Sequence, residues 1–205
     1  WTYTGDDRVD VFGENTGKVD SMSDGSYVRM DSNGNFYIMT SSTGNDNDTL
    51  IKVNFDKNTS EVIYTTDMEK LYSLQSDGEY LYFFESTQSR ETKSYFTAID
   101  MNGTLKAQYE MEYDEEFLEK AKKYYEQYPE DTSVVADASG ICVYGIDERY
   151  ILMGSNSDSD VYKNLKSLNS KPYKKVITTG VGVINKMDYL NSGTASIKQI
   201  YQNLS

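Results

Sequence analysis

Three observations predict an all-β fold, β-propeller-like, with about four four-stranded antiparallel blades and one helical insertion. A strand-loop-strand unit at residues 36–56 recurs at 80–100, displaced by 44 positions at both ends. Each unit opens on an aromatic-rich strand entered through a turn of Gly and Asx residues. Only one stretch, 113–130, has sustained helical periodicity. Repeats of roughly 40–50 residues carrying about four short strands each are the sequence sign of a propeller.

The elements follow in order. Near the amino end, Phe12-Gly13-Glu14-Asn15-Thr16-Gly17-Lys18-Val19 lies on Phe55-Asp56-Lys57-Asn58-Thr59-Ser60-Glu61-Val62, so the chain is expected to begin mid-blade. Gly34-Asn35-Phe36-Tyr37-Ile38-Met39 aligns with Gly78-Glu79-Tyr80-Leu81-Tyr82-Phe83 and with Glu148-Arg149-Tyr150-Ile151-Leu152-Met153. The preceding turns are Asp31 to Gly34, Ser76 to Gly78 and Ile146 to Glu148, where Gly supplies positive φ and Asx side chains hydrogen-bond their own backbone. A second hairpin is expected in each unit, at 53–62, 98–105 and 168–173. Residues 113–130 read as a helix started by Asp114 and stopped by Pro129. Phe117, Leu118, Ala121, Tyr124 or Tyr125, and Tyr128 form its apolar stripe. Val181 to Asn185 falls where the innermost strand of a fourth blade would start, so the two ends are expected to complete one blade between them. The rival is an excised part of a longer propeller. Ile197, Ile200, Tyr201 and Leu204 have helical spacing although the repeat places a strand there, and helix is favoured for 195–204.

Composition narrows the function. A chain of 205 residues with this period forms a single domain over 1–205. Mean hydropathy is −0.66 and no apolar run approaches the ~18 residues of a membrane span. Net charge is −13, from 33 acids against 20 bases, which repels a phosphate backbone, so no nucleic acid partner is expected. There is no histidine. That absence removes Ser-His-Asp hydrolysis, His-ligated zinc and most general-base chemistry at neutral pH. The single cysteine, Cys142, lies in an apolar strand context and reads as a small core residue, leaving no catalytic candidate.

The stretch Asp77-Gly78-Glu79-Tyr80-Leu81-Tyr82-Phe83, followed by Phe96-Thr97-Ala98-Ile99-Asp100-Met101-Asn102-Gly103, resembles the repeats of propeller-like domains of unknown function found in secreted proteins and lipoproteins of Gram-positive bacteria. The resemblance covers residues 24–112 and, less closely, 141–180. In the third unit Glu148-Arg149 replace the Gly position and Asn169 the Asp. The resemblance implies an extracellular or cell-surface location and a non-catalytic or uncharacterised role, and it carries over no catalytic residues.

Binding chemistry then falls to the loops and the helix. Two loops carry Asp-x-Asp, giving Asp46, Asp48, Asp158 and Asp160 as Ca²⁺ candidates, although neither loop has the Gly and bidentate Glu of an EF-hand. The helix-bearing face, with Phe117, Tyr124, Tyr125 and Tyr128, is the expected docking surface for a protein or glycan. Tyr37, Tyr80, Tyr82 and Tyr150 alternate along strands and are expected to pack between blades. The leading expectation is a non-enzymatic binding or scaffold module; the alternative is a carbohydrate-binding or carbohydrate-active protein using stacking aromatics and paired carboxylates. Excising 113–130 is expected to leave the fold intact and abolish binding.

Overall fold

The computed structural model describes residues 2–3, 9–10, 28–40, 47–87, 93–111, 115–130, 141–155, 180–193 and 198–202. Three four-stranded antiparallel sheets succeed one another along the chain, each a meander whose sequence neighbours are its ladder neighbours. Sheet 1 comprises β3 (Val28–Met30), β4 (Asn35–Thr40), β5 (Thr49–Asn54) and β6 (Thr59–Thr65). Sheet 2 comprises β7 (Lys70–Ser76), β8 (Tyr80–Ser86), β9 (Ser94–Asp100) and β10 (Leu105–Glu110). Sheet 3 comprises β11 (Ile141–Ile146), β12 (Tyr150–Ser155), β13 (Gly180–Asn185) and β14 (Lys198–Gln202). A separate two-stranded ladder joins β1 (Thr2–Tyr3) to β2 (Val9–Asp10). Helix α1 (Glu115–Gln127) lies between sheets 2 and 3, and a second helix, α2 (Lys186–Ser192), connects β13 to β14. The all-β class is therefore correct; of the two helices among the described residues, α1 falls within the expected 113–130 stretch and α2 was not signalled by the sequence.

Aspartate side chains build the first turn of each sheet. Asp31 Oδ1 accepts the amides of Asn33 and Asn35 at 2.8 and 3.0 Å. Asp77 Oδ1 takes those of Glu79 and Tyr80 at 2.9 and 2.8 Å. Asp147 takes those of Arg149 and Tyr150 at 2.7 and 2.6 Å. The third turn forms without the glycine that its counterparts use at Gly34 and Gly78, closed by the Asp147 carboxylate and by the Asp147 amide donating to the Tyr150 carbonyl at 3.0 Å.

Hydrogen bonds also set which residues are equivalent. Tyr37 Oη donates to Asp31 Oδ2 at 3.0 Å, and Tyr82 Oη donates to Asp77 Oδ2 at 2.8 Å. Tyr37 thus corresponds to Tyr82, whereas the 44-residue offset set it on Leu81, one position away. A slip of one residue exchanges the two faces of a strand. At the far end of the hairpin, Asn35 pairs with Asn54, Tyr80 with Asp100 and Tyr150 with Asn185. Asn54, Asp100 and Asn185 therefore stand in equivalent places. The first two open a turn by accepting nearby backbone amides, and Asn185 opens α2 by accepting the amide of Asp188.

That equivalence corrects the carboxyl end. Residues 181–185 are the third strand of sheet 3, paired between β12 and β14, not the innermost strand of a fourth unit. The 195–204 stretch contains strand β14 rather than a helix, because its ladder with β13 overrides the helical spacing of its apolar residues. No pairing between the two ends of the chain occurs among the described residues. The hairpins expected at 12–19 and 168–173 lie outside them.

Sheet 2 is covered on both faces, which is why β8 is apolar or aromatic at five successive positions instead of alternating. One face places Leu71, Leu74, Leu81, Phe83 and Ile99 against Tyr37, Met39 and Leu50 of sheet 1. The other places Tyr82, Phe84, Phe96 and Ala98 against Val143, Ile151, Met153 and Ile184 of sheet 3, with Tyr189 of α2 among them. A third cluster, Ile38, Ile51 and Val53, sits on the remaining face of sheet 1. The first strands adjoin in sequence: β7 touches β3 on one side and β11 on the other. Gln75 of β7 bridges both, accepting from Arg29 Nε at 3.0 Å and donating to the Val143 carbonyl at 3.1 Å. Ser73, held at φ 57° in a bulge of β7, accepts the Val143 amide at 3.1 Å.

Candidate functional site: the aromatic end of helix α1

Helix α1 presents two different faces. Ala121 and Tyr125, one turn apart, are buried in the cluster shared by sheets 2 and 3. Tyr124 and Tyr128, also four apart, lie on the neighbouring stripe; Tyr124 is half-buried and Tyr128 is 49% exposed. The Tyr128 amide donates to the Tyr124 carbonyl at 2.8 Å, extending the last turn by one bond, and Pro129 then prevents continuation. Ring centroids of Tyr124 and Tyr128 are 4.9 Å apart, and those of Tyr124 and Tyr125 are 5.5 Å apart at 80°. The aromatic chain thus runs from the core to the surface.

At its outer end is a hollow of about 480 Å³ lined by Tyr124, Gln127, Tyr128, Pro129 and Glu130. Gln127 Nε2 donates to Tyr128 Oη at 3.3 Å, which orients the phenol at the rim. No known protein family and no curated protein matches this chain. The lining offers aromatic rings, one side-chain amide and one carboxylate, on Glu130, and no histidine.

Of the expected docking residues, the structure exposes Tyr128, leaves Tyr124 half-buried against the core and turns Tyr125 inward. The Phe117 side chain lies outside the described residues. Among the Ca²⁺ candidates, Asp46, Asp158 and Asp160 also lie outside them. Asp48 is 2% exposed and receives Lys70 Nζ at 3.2 Å and the Leu71 amide at 3.0 Å, so its carboxylate ties the start of sheet 2 to sheet 1. No group of three or more acidic or cysteine side chains suited to a metal occurs among the described residues. Cys142 is half-buried on β11. Tyr37 and Tyr82 are buried between sheets, whereas Tyr80 is half-buried and Tyr150 is exposed.

Sequence reasoning missed a second polar centre. Glu85 of β8 is 1% exposed and points at sheet 1. Its oxygens accept from Tyr64 Oη at 3.0 and 3.1 Å, Thr66 Oγ1 at 2.6 Å, Gln108 Nε2 at 2.8 Å and Thr97 Oγ1. Burial, then the charge and hydrogen bond of Glu85, push the Tyr64 hydroxyl well above its ordinary value, so Tyr64 remains a donor throughout the physiological range. The visible signal was a glutamate two positions beyond Phe83, in a strand alternation that aims it inward. Every donor comes from within the fold, so Glu85 serves to join β6 to sheet 2.

Asp77 makes the corresponding link to sheet 3, its Oδ2 also accepting from Lys186 Nζ of α2 at 3.1 Å. Burial raises its pKa, but the amides of Tyr80 and Glu79, the Tyr82 hydroxyl and Lys186 outweigh that, and the net shift is downward. These carboxylates are committed to structure.

Proposed function

We propose that the protein is a non-enzymatic, extracellular or cell-surface binding module whose ligand site is the aromatic end of α1. The observation that carries this reading is the hollow beside exposed Tyr128, on a helix anchored to the core by Ala121 and Tyr125. A rigid platform bearing exposed aromatic rings loses little conformational entropy on binding, which is why tyrosines dominate recognition surfaces. The absence of histidine supports a role without general-base catalysis. A protein or a glycan is the partner class that such rings accept.

For the scaffold we propose successive blades of a propeller-like array, related to the repeat domains of secreted Gram-positive proteins that the sequence resembles. The repeated meander order and the adjoining first strands β3, β7 and β11 favour it, since the first strand of each blade lines the axis of that architecture. Probing parallel glycan and peptide arrays with the wild type and with Tyr128→Ala tests the binding role. The reading predicts wild-type hits that the variant loses while keeping its melting temperature; it fails if the two proteins give the same array pattern.

A further inference from the structure

The chemistry around the hollow selects a narrower ligand class, on the assumption that the hollow is the binding site. We propose that it receives a cationic side chain, lysine or arginine, from a partner protein. Three features converge. The hollow stands at the carboxyl end of α1, the negative end of the helix dipole, and no basic residue occupies the last turn. Lysine, arginine or histidine is the usual complement at such an end, so the position is electrostatically unfilled by the helix itself. Glu130 lines the hollow with an exposed carboxylate, and Glu126 is exposed one turn before it; Lys122 and Lys123 lie earlier on the helix, outside the lining. Tyr128 supplies an exposed ring, with the half-buried Tyr124 ring 4.9 Å from it, and the quadrupole of such a ring attracts a cation within about 6 Å. The whole chain carries −13, which steers a basic partner towards it and repels an acidic one.

The decisive measurement is a titration of isotope-labelled full-length protein, followed by backbone amide shifts, with N-acetyl-arginine methylamide, with benzyltrimethylammonium and with neutral chitotriose. Both cations are expected to shift resonances at 124–130, with weak, millimolar binding. Tyr128→Ala is expected to weaken the cations by roughly 2- to 30-fold, the range of a cation–π contact, and Glu130→Gln to weaken them while leaving any chitotriose response unchanged. Shifts spread evenly over the acidic surface, or equal binding by Tyr128→Ala, would overturn the cation site. If chitotriose alone shifts 124–130, the cation proposal fails while the binding role of the hollow stands. If none of the three does, both fail.

Discussion

Gly103 and Gly78 hold the same kind of backbone in hairpin turns, at φ 87° and 92°, yet their surroundings differ. A Cβ on Gly78 would meet nothing within 4 Å, whereas one on Gly103 would stand 1.8 Å from the Ile63 carbonyl oxygen of β6. Gly78→Ala is therefore expected to lose about 1–2 kcal/mol, the left-handed penalty of an L-residue. Gly103→Ala adds overpacking of roughly 1–3 kcal/mol and should lower the urea midpoint about twice as far. Glu85→Gln tests the buried acceptor: an amide has one acceptor oxygen where the carboxylate had two, and its NH₂ faces hydroxyl donors. A loss of about 1.5–3 kcal/mol in thermal or urea unfolding is expected, the range for hydrogen bonds to a charged group. Turn residues such as Asp31, Asp77 and Gly78 were legible because their chemistry is local. The meaning of Gly103 and Glu85 was not, since it depends on β6, some 20 or more residues earlier in the chain.

At the scale of the element, α1 belongs to the core as much as to the surface. Excising 113–130 would remove Ala121 and Tyr125 from the cluster between sheets 2 and 3, so the deletion is expected to unfold the protein rather than silence a detachable appendage. Point variants separate the two faces: Tyr125→Ala should lose about 3 kcal/mol or more in chemical unfolding, Tyr128→Ala less than about 0.5 kcal/mol. Helix α1 was predictable because its apolar stripe and Pro129 are consecutive in sequence. Strand β14 was misread because the helical spacing of Ile197, Ile200, Tyr201 and Leu204 does not reveal a partner strand. Helix α2 was missed because Asn185 is an Asx like Asn54 and Asp100, and nothing in that one residue distinguishes a helix cap from a tight turn.

For the whole molecule, the aspartates that open the first turns are expected to contribute to its stability towards acid. Asp31, Asp77 and Asp147 all have pKa values lowered from the ordinary aspartate value. For Asp31 and Asp77 burial acts upward and hydrogen bonds more than reverse it; for exposed Asp147 the Arg149 and Tyr150 amides dominate. A group depressed in the folded state contributes stability above its unfolded pKa, about 3.9 for aspartate, and loses it as pH falls through the lower folded value. Stability is therefore expected to hold from pH 7 to about 5 and to decline below about 4. Asp77→Asn should start lower at pH 7 and decline less steeply, as read from unfolding midpoints across that range. The recurrence of a turn and an aromatic strand 44 residues on made the all-β class legible, but the contacts between sheets were not, because Gln75, Lys186 and Tyr189 act between units that the repeat treats as separate.

The meander order of the sheets has a consequence for how the protein is made. Sheets 1 and 2 are each complete within one short, uninterrupted run of chain, so nearly all their pairings close small loops and form early, while synthesis of the remainder continues. Sheet 3 is different: β12 must wait for β13 across 24 intervening residues, and Lys186 must then find Asp77 far upstream. Until it does, Tyr82, Phe84 and Phe96 lack the part of their cover that Ile184 and Tyr189 supply. The vulnerable moment of biogenesis is thus the interval before β13 and α2 arrive, when the aromatic face of sheet 2 is more open to capture by other chains or by chaperones.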